Sequence, residues 1–155
     1  MAGGRYDGAL RDVIHAFKYE GRRSLADVLA SVMRESGRQV LEDCDCLVPV
    51  PLHPWRRMRR GFNQARDLAE HLDRPVVDAI WRVRATASQM TLAADARQRN
   101  VSGAFTLAPW SPSIDDRIVV LVDDVRTTGA TLDRCATVLR RANAREVRAL
   151  TVALA

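Results

Sequence analysis

The stretch V-V-L-V-D-D-V-R-T-T-G-A-T, residues 119–131, determines how the rest of this 155-residue chain is interpreted. It opens with four apolar residues, continues with the acids Asp123 and Asp124, and ends in small and hydroxyl-bearing residues before a helical pattern. A short apolar run of this kind is typical of a parallel strand buried on both faces of a sheet. Ligands of open parallel sheets bind beyond the carboxyl ends of the strands. We therefore expect the strand to stop at the acids and a binding site to follow.

The turn after the acids is suited to a phosphate group. A helix N-terminus has unpaired backbone N–H groups and the positive end of the helix dipole, so it attracts anions. Gly129 allows a close approach of the backbone, and Thr127, Thr128 and Thr131 add hydroxyl donors. The stretch has neither the P-loop pattern nor the glycine fingerprint of dinucleotide-binding folds.

The two acids suit another part of the same ligand. Their charge would repel a phosphate, whereas they can accept hydrogen bonds from the vicinal hydroxyls of a sugar or hold Mg²⁺ through its waters. Sugar-diol acceptors beside a phosphate cradle describe a site for ribose 5-phosphate. The alternative is that Asp123 and Asp124 are only turn and helix-start residues.

Strands and helices alternate along the chain, which predicts an α/β fold with a mostly parallel β-sheet flanked by helices. Apolar periodicity predicts helices near residues 10–20, 25–33, 65–72 and 132–139. Strands are expected at residues 46–50, 75–83, 118–122 and 147–154. Gly21 is expected to end the first helix, a capping box of Ser24 and Asp27 to open the second, and Asn63 to cap the third.

Composition excludes several classes of protein. Hydrophobic residues make up 47% and charged residues 28%, which is typical of a globular domain. No apolar run is long enough to cross a bilayer and the N-terminus lacks a signal-peptide pattern, so we expect no membrane insertion and a cytoplasmic location. The net charge of +5 suits an anionic ligand or a nucleic acid. Lys18 is the one lysine of the chain.

The three cysteines, Cys44, Cys46 and Cys135, do not form a disulfide framework. We expect them to be buried thiols that act as small hydrophobic residues. The alternative is a Cys-x-Cys metal site completed by His53.

Residues 119–131 resemble the motif of type I phosphoribosyltransferases that binds 5-phosphoribosyl 1-pyrophosphate (PRPP). The resemblance implies the type I phosphoribosyltransferase-like fold, with a small N-terminal hood. It also implies that Asp123 and Asp124 are catalytic, contact the ribose hydroxyls and hold Mg²⁺ through water. The residues that it assigns to PRPP binding are Val125, Arg126, Thr127, Thr128, Gly129, Ala130 and Thr131, and the last five of these hold the 5-phosphate.

Other segments resemble the ComF family, whose members are phosphoribosyltransferase-like proteins linked to DNA uptake in bacterial competence. The segments are L-R-D-V-I-H-A-F-K-Y-E-G at residues 10–21, V-P-V-P-L-H at 48–53, R-R-G-F-N-Q-A at 59–65 and R-Q-R-N-V-S-G-A-F at 97–105. The likeness covers nearly the whole chain.

By this resemblance, the loop after Val50 takes the place of the pyrophosphate-binding loop. Its implied site residues are His53, Arg56, Arg57, Arg59, Arg60 and Gly61. Guanidinium groups there would neutralise a pyrophosphate through bidentate hydrogen bonds, and Gly61 would supply backbone freedom. The alternative is a solvated basic loop.

The polar residues 86–100 match the flexible catalytic loop of the superfamily. Arg97 and Arg99 would close over the leaving group, the alternative being an exposed loop with scattered charge. Lys18 and Tyr19 fall near the acceptor-binding hood, so they are candidates for contacting the acceptor or a nucleic acid. The alternative for Lys18 is a surface lysine at a helix end.

ComF proteins commonly begin with a four-cysteine zinc module, whereas this chain begins where the following domain would start. We therefore expect a single phosphoribosyltransferase-like domain over residues 1–155 without the zinc module. The chain is either a natural short form or one that lacks its N-terminal part. Members of the superfamily often dimerise, so the resemblance also implies a homodimer.

Two functions of different classes stay open. The first is a phosphoribosyltransferase that uses PRPP and Mg²⁺ and transfers a phosphoribosyl group to an acceptor that the sequence does not identify. The second is a non-catalytic protein that binds a nucleotide or single-stranded DNA during DNA uptake. Stacking aromatics would favour the second function, and Trp55 and Phe62 flank the arginine loop, although each also suits an ordinary packing role.

Overall fold

A parallel β-sheet forms the centre of the molecule. The structure, a computed structural model, describes residues 1–52, 58, 61–83 and 104–155. Within them the main sheet has four strands in the order β1-β6-β5-β2, and every neighbouring pair is parallel. These strands are β1 (Ala2–Arg5), β2 (Cys46–Pro49), β5 (Ile118–Arg126) and β6 (Glu146–Leu154). A separate antiparallel pair consists of β3 (Ile80–Arg82) and β4 (Phe105–Leu107).

Helices cover both faces of the sheet. They are α1 (Gly8–Tyr19), α2 (Leu25–Ser36), α3 (Arg38–Leu41), α4 (Gln64–Glu70) and α5 (Ala130–Arg141). One core contains buried side chains of α1, α2 and α4, and the other contains those of α5 and the β3–β4 pair. The molecule is therefore a three-layer α/β structure, as the alternation of elements predicts. Among the described residues, no helix combines the length and hydropathy needed to cross a membrane.

Strand β5 supplies both cores because successive side chains of a strand point to opposite faces. Val119 and Leu121 are buried in the α5 core, whereas Val120 and Val122 are buried in the core that contains α1 and α2. β5 has a parallel partner on each side, β6 and β2. The prediction of a buried parallel strand here is confirmed.

The predicted end of that strand is wrong. β5 continues through both acids to Arg126 because β6 also continues and provides hydrogen-bonding partners. Asp123 is paired with Thr151, and Arg126 with Leu154. The acids therefore lie on a regular strand, which fixes the direction of each side chain.

Two other strand predictions need correction. β1 was not predicted, since its sequence A-G-G-R has little strand propensity, yet it pairs with β6 from Ala2↔Thr151 onward. The strand expected at residues 75–83 does not form as one element, because only Val76 bridges to the main sheet, through the parallel pair Leu47↔Val76. The chain then turns away and forms β3 in the antiparallel pair, where only residues 80–82 are extended.

Helix boundaries were predicted with mixed success. α1 ends at Tyr19 and Gly21 follows with φ of 66°, and the Asn63 side chain accepts a hydrogen bond from the N–H of Ala65, so both predictions are confirmed. The capping box is wrong, because the Ser24 side chain makes no cap hydrogen bond. Ser24 already has helical backbone angles, and turn hydrogen bonds to Arg22 and Arg23 satisfy the first N–H groups of α2.

All three cysteines are buried free thiols, as expected. Cys44 packs in the core that contains α1 and α2, whereas Cys46 packs in the α5 core. Since the two thiols belong to different cores, they are poorly placed to share a metal ion. His53, the third residue of the metal alternative, lies outside the described residues.

The close packing of β1 leads to a testable prediction. A Cβ atom at Gly3 would lie 2.8 Å from the carbonyl oxygen of Val152 and 2.8 Å from Val32 Cγ1, whereas one at Gly4 would meet only the flexible Leu10 side chain, at 3.0 Å. We expect Gly3→Ala to lower the free energy of unfolding by about 1–3 kcal/mol and Gly4→Ala by clearly less. Urea denaturation measures both. Equal effects would contradict the placement of β1.

Candidate functional site

A cavity of about 810 Å³ lies where the strands of the main sheet end. Its walls come mainly from three parts of the chain: the N-terminal segment, the segment that follows β2, and the end of β5 with the start of α5. Arg82 of β3 and the C-terminal Ala155 complete them. Residues of the predicted site that line it are Lys18, Tyr19, Asp123, Asp124, Val125, Thr127 and Thr131. The structure thus brings the N-terminal motif and the phosphate turn to one site.

The two aspartates face opposite sides of β5. Asp124 contacts Lys18 of α1, and Asp123 lies on the side of α5, where its charge acts on Cys135. Backbone hydrogen bonds hold both carboxylates: the N–H of Asp124 donates to Asp123 Oδ1 at 2.9 Å, and that of Val125 to Asp124 Oδ1 at 2.6 Å. Two adjacent carboxylates therefore reach one cavity from different directions.

Asp123 resists ionisation. Its burial, and next the negative charge of Asp124, raise the pKa of Asp123 to about 7, while the N–H of Asp124 and the charge of Lys18 act in the opposite direction. Near neutral pH its carboxyl group can therefore exist in either form. The protonated form can donate a hydrogen bond, and the ionised form can accept hydrogen bonds from a diol or hold a cation.

Lys18 is part of the site. Its Nζ lies 3.0 Å from Asp124 Oδ2, and the two side chains are only 14% and 13% exposed. The alternative of a solvated surface lysine is therefore wrong. Because a carboxylate at such depth needs a counter-ion, Lys18 allows Asp124 to be charged in the absence of ligand.

The turn before α5 has the geometry expected of a phosphate cradle. Gly129 caps the helix with φ of 81°, a left-handed conformation that a side chain at this position would strain. Thr127 and Thr131 line the cavity, and Thr128 Oγ1 accepts a hydrogen bond from the N–H of Ala130 at 3.4 Å. N–H groups in the first turn of a helix have no partner within the helix and can bind an anion, although that of Ala130 donates to Thr128 in this structure.

Two motif residues play less direct roles. Val125 packs against the core that contains α1 and α2, so its side chain anchors the strand end. Arg126 is exposed at the end of β5 and does not line the cavity.

Phe62 forms another part of the wall and is held from two sides. Its ring lies edge to face with Phe17, with centroids 5.8 Å apart, and the Arg23 guanidinium lies 5.4 Å from its centroid. Arg23 in turn makes a bidentate ion pair with the buried Asp67 of α4, at 2.7 and 2.9 Å. Phe62 thus has the packing contacts of the alternative that the sequence left open, and it also lines the cavity.

Several predicted residues fall outside the described residues: His53, Arg56, Arg57, Arg59, Arg60, Arg97 and Arg99, together with Trp55. Their roles stay predictions. Gly61, at the end of the predicted pyrophosphate loop, is described and has φ of 77°, which agrees with its expected backbone freedom.

Sequence reasoning missed other residues around the cavity. Tyr6, Arg82 and the C-terminal Ala155 line it, although none lies in a motif that indicated a site. It also missed Trp81 and Trp110, which lie far apart in the sequence and have ring centroids 5.2 Å apart. Only strand pairing between β3 and β4 brings such positions together, so no local pattern could have indicated them.

Comparisons with known proteins agree with this geometry. A model of the phosphoribosyl transferase domain family matches residues 58–155. Competence protein F of Haemophilus influenzae is 35% identical over 154 residues, which cover 93% of this chain and 67% of that protein. DNA utilization protein YhgH of Escherichia coli is 36% identical over 155 residues, which cover 92% of this chain and 66% of that protein. The chain thus spans about two thirds of the length of these curated relatives.

One solved structure shows the same fold. The structure described as the allosteric regulatory enzyme of purine biosynthesis superposes with a TM-score of 0.59 at 21% identity. The match covers 83% of this chain and 25% of that one. The fold expected from residues 119–131 is therefore confirmed.

The raised pKa of Asp123 predicts a pH-dependent loss of stability. The unfolded carboxyl ionises near 3.8, whereas the folded one keeps its proton up to about 7. The folded state then binds more protons, so the contribution of Asp123 to the free energy of unfolding falls as the pH rises between these values and is constant above them. The variant Asp123→Asn has no carboxyl group at this position and so does not lose this stability. The difference in melting temperature, variant minus wild type, should therefore increase from about pH 5 to about pH 8.

Asp12→Asn is the matched control, since the Asp12 side chain is 71% exposed. Thermal unfolding followed by circular dichroism at several pH values measures both variants. If the Asp123 variant and the wild type keep a constant difference across this range, Asp123 does not titrate as described.

The contact between Lys18 and Asp124 predicts strong energetic coupling. Lys18→Met leaves Asp124 as a buried charge without its counter-ion, and adding Asp124→Asn removes that charge. A double-mutant cycle should give a coupling of about 1–3 kcal/mol in the free energy of unfolding. The pair Arg11 and Asp12, 59% and 71% exposed, is the control and should couple by less than about 0.5 kcal/mol. Similar values for the two cycles would contradict a buried pair.

Proposed function

Because this chain belongs to the phosphoribosyl transferase domain family, we propose that its cavity binds a 5-phosphoribosyl ligand, PRPP together with Mg²⁺. The observation that carries the proposal is one cavity lined both by the adjacent acids Asp123 and Asp124 and by the turn that contains Thr127 and Thr131. Acceptors for a sugar diol and donors for a phosphate are thereby close together. The family match, over residues 58–155, supports the same ligand class.

Different residues bind different parts of the ligand. Thr127, Thr131 and N–H groups in the first turn of α5 hold the 5-phosphate, which is also stabilised by the helix dipole. Asp123 and Asp124 accept hydrogen bonds from the ribose hydroxyls. Lys18, next to Asp124, offsets the charge of that carboxylate and so lessens its repulsion of a highly anionic ligand.

The donor set fits Mg²⁺ that arrives with its ligand. Among the described residues there is no cluster of three or more His, Cys, Asp or Glu side chains that could hold a metal ion without help. Mg²⁺ commonly uses one or two carboxylates, its own waters and substrate phosphates, which is what Asp123 and Asp124 can offer beside PRPP. When bound, the ion supplies positive charge that offsets the charge of the pyrophosphate.

Transfer from PRPP would break the bond between C1 of the ribose and the pyrophosphate oxygen. The bonding electrons leave with the pyrophosphate, and an acceptor nucleophile forms the new bond at C1. The carboxylates of Asp123 and Asp124 lie beside the ribose and so suit the positive charge that develops on it, while the arginines of residues 53–60 and 97–99 are the candidates for holding the leaving group.

A second candidate function is the handling of single-stranded DNA. It is supported by the names of two relatives, a competence protein and a DNA utilization protein, and by one observation on this chain. Trp81 and Trp110 are 41% and 61% exposed and form an aromatic pair beside the cavity. Exposed aromatic rings on a basic protein are typical of single-strand binders.

We expect PRPP with Mg²⁺ to bind the wild-type chain in the micromolar range in a calorimetric titration. The variant Asp123→Asn with Asp124→Asn should bind at least about tenfold more weakly, a loss of about 1.4 kcal/mol, because it loses both ionised acceptors. Titrating inorganic pyrophosphate into both proteins tests for simple attraction of polyanions. The affinity for pyrophosphate should differ much less between the wild type and the double variant than the affinity for PRPP does.

The control variant is Asp12→Asn with Asp27→Asn, whose carboxylates are 71% and 67% exposed. It has the same change of charge away from the cavity and should bind PRPP like the wild type. A folded wild-type chain that binds no PRPP would overturn the proposal, as would an equal loss of affinity in both double variants.

A further inference from the structure

A second concave surface lies next to the cavity. This tryptophan cleft has a volume of about 920 Å³, and its apolar walls are Pro49, Pro51, Leu52, Ile80, Trp81 and Trp110. It lies between the end of β2, the start of α4 and the β3–β4 pair. Nothing in the proposed binding of PRPP uses its aromatic walls.

The two tryptophans are placed for stacking. Their rings meet edge to face at an angle of 76°, so the rings do not cover each other as a stacked pair would. Trp81 is 41% exposed and Trp110 is 61% exposed. Large aromatic faces that remain exposed in a folded chain are a common feature of surfaces that bind another molecule.

The polar side chains of the cleft are already committed to neighbours. Asn63 donates to the carbonyl oxygen of Val50 and accepts from the N–H of Ala65, both at 3.2 Å. Arg66 forms ion pairs with Glu70 and Asp78. The cleft therefore offers ring faces much more than hydrogen bonds to the edges of a ligand.

The fourth polar residue, Arg82, lies over an aromatic ring, with its guanidinium carbon 5.1 Å from the centroid of Phe105. Arg82, Asn63, Pro51 and Leu52 also line the cavity proposed for PRPP, so the cleft and the cavity share a wall. A ligand with aromatic groups attached to a sugar-phosphate chain would match both surfaces.

We propose that the tryptophan cleft stacks the bases of single-stranded DNA, an inference that rests on the second candidate function. Stacking tolerates any base because every base has a π-face, whereas recognition of one particular free base needs free hydrogen-bonding groups. The commitment of Asn63, Arg66 and Asp78 to protein partners favours the strand over a free base. The net charge of +5 favours a polyanion over a second copy of the same basic chain.

The test is fluorescence anisotropy with a fluorescein-labelled oligothymidylate and the full chain at low and moderate salt. We expect Trp81→Ala and Trp110→Ala each to weaken binding by about five- to a hundredfold, as loss of a stacked base does. Trp81→Phe should keep most of the affinity because it keeps an aromatic face. Since Trp110 is the more exposed residue, its variant should stay folded, which circular dichroism checks.

Two controls separate stacking from other causes. An abasic deoxyribose-phosphate strand has the same charge but no bases, so its weaker binding should be unchanged by either tryptophan variant. Val28→Ala, at a hydrophobic position on α2 that is 55% exposed, should leave oligothymidylate binding unchanged.

The outcomes distinguish the inference from the function on which it rests. No binding of oligothymidylate by the wild-type chain would overturn both. Binding that the tryptophan variants leave intact, or that they weaken equally for the abasic strand, would overturn the stacking site alone. Tight binding of one free base would also overturn the stacking site, because it would assign the cleft to an acceptor. A change of sedimentation mass in Trp110→Ala without a change in DNA binding would overturn it too, because it would assign the cleft to a second copy of the chain.

Discussion

Two adjacent carboxylates at the end of a buried strand are the constraint on which the rest of the site depends. Ionised carboxylates side by side repel each other, and a desolvated one is costly to keep charged. The chain meets this constraint differently on the two faces of β5. On one face Lys18 of α1 neutralises Asp124, and on the other Asp123 keeps its proton up to a pH of about 7. The strand continues through both residues, so their backbone remains hydrogen-bonded while their side chains diverge.

This solution requires α1 to be held firmly against the sheet. α1 follows directly on β1, whose pairing with β6 fixes where the helix starts, and its buried Ile14 and Phe17 pack into the core below. Gly3 makes the close contact between β1 and its surroundings possible. The N-terminal segment therefore belongs to the main sheet and to the site at once. A change in the docking of β1 would move Lys18 and expose the charge of Asp124.

Local patterns predicted the parts of the fold whose cause is local. Residues 119–131 contain a strand, two acids and a helix start within one short segment, and the structure keeps them in that order. Contacts between distant segments could not be predicted in the same way. β1 is glycine-rich and is a strand only because it pairs with the edge of β6. The capping box does not form because turn hydrogen bonds to Arg22 and Arg23 satisfy the first N–H groups of α2 instead. Lys18 was a candidate through its motif, but its pairing with Asp124 depends on how α1 crosses the sheet.

The shared wall has a consequence for both candidate functions. Asn63 fixes that wall, since its side chain joins the end of β2 to the first turn of α4 through Val50 and Ala65. A ligand in the cavity and an aromatic group in the tryptophan cleft would therefore contact opposite sides of one braced segment. If a ligand on one side of this wall changes the affinity on the other side, the effect must be equal in both directions. If both proposals hold, linkage between a phosphoribosyl ligand and a DNA strand would pass through this wall, and it would not require a transfer reaction.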